Sequence, residues 1–170
     1  MEKIIFHKET KTFHLYNEEI SYIMCVLENG HMGQLYYGKR IHDKPDFSYL
    51  VEKCGRPMTS YIFEGDRSFS LEHIRQEYPV YGTTDYRHPA IEIMQENGSN
   101  ISEFKYVGYE ILKGKPSLKG LPATYTESEE EAETLKIILK DSLTGAKLTL
   151  LYTIFSKGSA IARSAHICNE

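Results

Sequence analysis

Apolar and polar positions alternate with a period of two most clearly near the end of this chain. Leu135, Ile137 and Leu139 alternate with Thr134, Lys136 and Lys140, which fits a half-buried strand and not a helix of period 3.6. Ser142-Leu143-Thr144-Gly145 then reverses the chain into Leu148 to Phe155, where Leu148, Leu150, Tyr152 and Ile154 share one face, so a hairpin is predicted here. A further strand is predicted over Ile161 to Ile167. Upstream, the stretches at Leu15, Ser21 to Leu27, Leu35 to Tyr37, Ile91 to Gln95 and Phe104 to Leu112 are rich in Ile, Val, Tyr and Phe, and Asn29-Gly30 and Asn97-Gly98 supply turns. Only Ser68 to Gln76 carries a helical turn signal, with Ser70 as its N-cap. Short strands in series with few helices predict an all-β chain, an antiparallel β-sandwich, in a single domain over residues 1–170. The acidic run Glu127 to Glu133 reads as a solvated loop or strand approach. The abrupt stop at Cys168-Asn169-Glu170, directly after a strand, suggests a boundary cut into a longer protein.

Composition narrows the function classes. A chain of 170 residues is too short for an enzymatic (β/α)₈ barrel, which needs roughly 250 residues. The net charge of −4 offers no attraction to phosphate backbones, so nucleic acid is not an expected partner. No apolar run reaches the roughly 18 residues of a membrane helix, and the opening Met1 to Lys8 lacks the apolar core of a secretory signal. Cys25, Cys54 and Cys168 are odd in number and far apart, as expected of reduced thiols. The expectation is a soluble, cytoplasmic protein with no membrane partner.

Candidate chemistry is sparse. A retaining glycosidase needs two carboxyl groups roughly 5 Å apart, and Asp85 with Glu92, or Glu64 with Asp66, are the pairs to consider. Asp85, however, precedes Arg87 by two residues, which favours a structural ion pair in a turn. The seven histidines show neither helical nor HxH pairing, so no metal and no other cofactor is expected. No GxSxG elbow is present, and Gly30-His31-Met32-Gly33 lacks the Lys and Ser/Thr of a phosphate loop. Without a secretory signal, the glycosylation patterns at Asn97 and Asn100 are chance matches. The 13 Tyr and 7 Phe could stack on sugars, but Trp, a common platform in sugar-binding modules, is missing.

From Glu77 to Ala90 the chain reads Glu-Tyr-Pro-Val-Tyr-Gly-Thr-Thr-Asp-Tyr-Arg-His-Pro-Ala, which resembles the EYPxYGxxDxRxPA segment of glycoside hydrolase family 36 α-galactosidases. His31 to Lys39, Pro45 to Ser48, Gly114 to Pro116 and Gly120 to Tyr125 extend the likeness over most of the chain. Read physically, Pro79 and Pro89 fix φ, Gly82 permits a left-handed turn and Arg87 grips Asp85, which together describe a rigid corner.

The resemblance implies that this chain is the first part of a larger, supersandwich-like amino-terminal domain. The barrel with the catalytic aspartates is missing from it, so the chain alone holds no catalytic residue. It further implies a parent enzyme that cleaves terminal α-galactosyl units of melibiose or raffinose-type oligosaccharides with retention, and a homo-oligomer, tetrameric in the family. In similar proteins the segment Asp46 to Arg56 lies in a loop that reaches a neighbouring subunit's active-site mouth, which implies substrate-binding roles for Asp46, Phe47 and Arg56. Asp46 would accept sugar hydroxyls, Phe47 would stack on a ring and Arg56 would donate. The competing expectation is an ordinary surface loop in which Asp46 caps a turn and Phe47 packs inward. A stand-alone carbohydrate-binding or oligomerisation module is the alternative for the whole chain.

Overall fold

A computed structural model describes residues 3–55, 57–120 and 123–169. Two four-stranded antiparallel meanders form the fold. The first runs β1 (Ile4–His7), β2 (Thr12–Tyr16), β3 (Ile20–Val26) and β4 (Met32–Lys39); the second runs β5 (Phe104–Lys113), β6 (Ala132–Asp141), β7 (Lys147–Phe155) and β8 (Ile161–Cys168). Strands within each sheet pair antiparallel in sequence order.

The sheets pack face to face through a shared core. Ile4, Phe13, Leu15, Tyr22 and Met24 of the first sheet lie in one cluster with Leu135, Ile137, Leu139, Leu148, Leu150, Tyr152 and Ile154 of the second. This is the sandwich expected from period-two patterning, and the predicted hairpin is present with Lys140 opposite Lys147. Its turn is closed by Asp141, whose Oδ1 accepts the Leu143 amide at 2.8 Å and whose Oδ2 accepts the Thr144 hydroxyl at 3.1 Å.

The first sheet is buried on both faces. Behind it, Ile23, Cys25, Leu27 and Leu35 form a second cluster with Phe47, Phe69, Leu71 and Ile74 from the long connection between β4 and β5. Two-sided burial explains why β3 reads Ile-Ser-Tyr-Ile-Met-Cys-Val with almost no alternation, whereas β6 and β7 alternate cleanly. Ile91 to Gln95 forms no strand: Ile91 makes only an isolated parallel bridge to Val80. The apolar run there packs a loop against the core, with Ile91 and Ile93 on its margin. Ser68 to Gln76 forms one turn, in which Ser70 Oγ accepts the Glu72 amide, without growing into a helix. The acidic run leads through a short 3₁₀ turn at Glu129–Glu131 straight into β6. No helix among the described residues is long and apolar enough to cross a membrane.

Candidate functional site

The segment that leaves β4 and crosses the rear face of the first sheet carries the predicted site residues. Its seat is a chain of hydrogen bonds. The register opposes Ile5 to His14 and His7 to Thr12, which makes His7 and His14 diagonal neighbours on one face of the β1–β2 pair. Both imidazoles meet one oxygen: Asp43 Oδ1 lies 2.9 Å from His7 Nε2 and 2.7 Å from His14 Nδ1. On the far side of its ring, His14 Nε2 lies 2.9 Å from Ser21 Oγ, which accepts the Ile41 amide at 3.0 Å.

Charge and burial fix the protons in this chain. Burial lowers the His14 pKa, outweighing the upward pull of Asp43, so the ring is neutral. Burial raises the Asp43 pKa, but hydrogen bonds from His14 and His7 outweigh it and hold the carboxyl below its usual range. An ionised Asp43 is acceptor-only, so His14 must donate from Nδ1 and accept the Ser21 hydroxyl at Nε2. The array has the order of a Ser–His–Asp triad, yet Ser21 is fully buried, so no substrate can reach its hydroxyl.

Two residues beyond Asp43 the chain turns. Asp46 Oδ1 accepts the Ser48 amide at 2.7 Å and its Oδ2 accepts the Ser48 hydroxyl at 3.1 Å, bonds that lower the Asp46 pKa. A 3₁₀ turn at Ser48–Leu50 follows. Phe47 is 0% exposed, with its ring edge-on to His14 at 5.5 Å. It belongs to the rear core cluster with Ile23, Leu35 and Phe69, and, fully buried, it offers no open ring face to a sugar. Asp46 capping a turn above an inward Phe47 matches the competing expectation for the loop. The exposed aromatic here is Tyr49, 63% accessible, with the Lys44 ammonium 5.7 Å from its ring centroid. Sequence reasoning passed over Tyr49, since nothing in the local pattern distinguishes it from a packed tyrosine. Arg56 lies outside the described residues.

The corner from Glu77 to Ala90 carries the ion pair expected of it. Arg87 Nε and Nη2 donate to the two oxygens of Asp85 at 2.8 Å each, a bidentate fork, and Gln76 Nε2 adds a third bond at 2.8 Å. Burial pushes the Asp85 pKa up, but Arg87 more than reverses it. Gly82 has φ +113° and closes the turn by exchanging two backbone bonds with Asp85. Glu77, 5% exposed, accepts Tyr22 Oη at 2.6 Å, Tyr152 Oη at 2.7 Å and Arg163 Nη2 at 2.9 Å, which ties the corner to both sheets.

Of the four carboxylates weighed for catalysis, three are committed to local bonds, which leaves neither pair intact. Asp85 holds Arg87, Glu92 accepts Asn100 Nδ2 at 3.1 Å, and Asp66 accepts the Ser68 amide and hydroxyl at 2.8 and 2.6 Å. Among the described residues no group of three or more His, Cys, Asp or Glu is arranged to hold a metal.

Comparison with known proteins places this geometry. Residues 30–170 match the model of the glycosyl hydrolase family 36 N-terminal domain. The chain is 41% identical over 167 residues to the α-galactosidase AgaA of Geobacillus stearothermophilus, covering 98% of this chain and 23% of that protein. It is 34% identical over 168 residues to the α-galactosidase Mel36A of Lactobacillus acidophilus, again covering 98% and 23%. The crystal structure of the α-galactosidase from Lactobacillus brevis superposes with a TM-score of 0.90 at 37% identity, covering 96% of this chain and 22% of that one. A variant of AgaA crystallised with raffinose superposes with a TM-score of 0.85 at 42% identity, covering 94% and 22%. The chain thus spans less than a quarter of the length of these relatives. Matched over most of its length in sequence and in fold, it belongs to the amino-terminal domain family of glycosyl hydrolase family 36.

Proposed function

We propose that this chain is the non-catalytic amino-terminal β-sandwich of an α-galactosidase that removes terminal α-galactosyl units from melibiose or raffinose-type oligosaccharides with retention. The observation that carries this reading is the near-complete coverage of the chain by α-galactosidases several times its length. The commitment of Asp85, Glu92 and Asp66 to local bonds supports assigning the catalytic carboxylates to a barrel outside these residues. The same reading makes the protein a cytoplasmic homo-oligomer, with neither nucleic acid nor membrane as a partner.

Within that enzyme the loop from Asp46 to Arg56 contributes to the substrate site of a neighbouring subunit. Asp46 and Arg56 are the contacting residues, and Phe47 anchors the loop from beneath. The test has two arms. Protein extended through the downstream sequence should hydrolyse raffinose and an aryl α-galactoside, whereas the 170-residue chain should hydrolyse neither. A downstream region without a carboxylate-bearing barrel sinks the enzyme reading. In the extended protein, Asp46→Ala and Arg56→Ala should lower kcat/KM on raffinose selectively, and equal, near-normal activity on both substrates sinks the loop's role.

A further inference from the structure

We propose that Asp43 is a positioning residue whose carboxylate, gripped by His7 and His14, sets where the Asp46–Tyr49 segment stands and thereby the affinity for the oligosaccharide; this rests on the reading of that segment as part of the substrate site.

The route from Asp43 to Asp46 is short and stiff. Only Lys44 and Pro45 intervene, Pro45 has its φ fixed by its ring, and its carbonyl accepts the Thr10 hydroxyl at 3.3 Å. Asp46 then closes a local turn onto the Ser48 amide and hydroxyl, and the 3₁₀ turn that starts at Ser48 displays Tyr49. On the other side, Ile41 is held through its amide by Ser21, the same hydroxyl that meets His14. Ile41 and Asp43 are therefore referenced to β1, β2 and β3, Pro45 to the β1–β2 turn, and Asp43 Oδ1 is the node on which two strands converge. Removal of that oxygen leaves the buried His14 Nδ1–H without its acceptor, and the segment answers by moving or by admitting water. The Lys44 ammonium over Tyr49 and the Phe47 edge against His14 shift with it.

The experiment uses the intact protein that carries this domain. Asp43→Ala should speed amide exchange from Ile41 to Val51 and raise the KM for raffinose by roughly tenfold, the size expected for one misplaced polar contact, with kcat little changed. Asp43→Asn keeps an oxygen able to accept both imidazole N–H groups and should restore both readouts to within about twofold. Should Asp43→Ala fail to fold, His7→Ala, which removes one arm of the grip at its more exposed end, should move both readouts in the same direction. Unchanged exchange across this segment, or Asp43→Asn as impaired as Asp43→Ala, overturns the proposal. If Asp46→Ala raises the raffinose KM while Asp43→Ala does not, the positioning role is wrong and the loop's substrate role stands. If neither substitution moves KM, the substrate role of the loop is wrong, and the positioning proposal falls with it.

Discussion

Removing the Glu77 carboxylate should be among the most damaging single changes in this domain. Glu77 is 5% exposed and accepts from two phenols and one guanidinium belonging to both sheets. Burial raises the pKa of Tyr22 and of Tyr152 above the ordinary phenol value, so both hydroxyls stay protonated and act as donors. In Glu77→Ala, Tyr22 Oη retains the bond it accepts from Gln34, but its own proton and that of Tyr152 lose their acceptor in the core. Arg163, whose side chain is half exposed, recovers water on its outer edge, which tempers the loss. The loss therefore comes mainly from two buried hydroxyl donors left without an acceptor, at about 1–3 kcal/mol each, which puts it at about 3–5 kcal/mol. For a chain of 170 residues that corresponds to roughly 6–20 °C in Tm. Urea unfolding followed by circular dichroism would measure it, with Tyr152→Phe as the companion. Tyr152→Phe leaves Glu77 paired to Tyr22 and Arg163 and should cost only about 1 kcal/mol. A Glu77→Ala loss below about 1 kcal/mol would refute the reasoning, since it would mean that the network contributes nothing beyond an apolar filling.

Two further outcomes follow from the corner and the loop seat. Gly82→Ala places a Cβ at φ +113° and 2.7 Å from Ile101 Cγ2, so a loss of about 2 kcal/mol in urea unfolding is expected, most of it backbone strain because Ile101 is partly exposed and can yield. Acid titration should show stability falling in two stages. His14, Asp43 and Asp85 all have folded pKa values below their unfolded ones, so the unfolded chain binds the extra protons and stability rises with pH. The loss begins as pH falls below about 6.5, from His14, and deepens below about 4, from the two carboxylates. Asp85→Asn should flatten the lower stage in a pH series of thermal melts, and an unchanged profile would count against the Arg87 fork as its source.

Strands of the second sheet were legible because one face meets the core and the other meets solvent, which writes a period of two into Leu135, Ile137 and Leu139. In the first sheet burial on both faces erases that signal, so β1 and the full extent of β2 were not expected. The false strand at Ile91 has the same composition as a true one, and what differs is the absence of a neighbouring strand to complete a ladder. The Asp85–Arg87 fork was legible because both partners lie within three residues. The grip on Asp43 was not, since it joins residues 36 and 29 positions apart through a register that no local pattern specifies.

The rear cluster also bears on how this domain can be cut. Among its described residues the connection between β4 and β5 has no long regular element, and by appearance it invites trimming to a tighter linker. Its Phe47, Phe69, Leu71 and Ile74, however, are the cover for Ile23, Cys25, Leu27 and Leu35. A shortened variant would expose the back of a sheet whose front still holds the sandwich together, leaving an apolar plane ready to associate with any similar surface. The connection is a third layer in all but secondary structure, and the smallest unit able to stay dispersed in solution includes it.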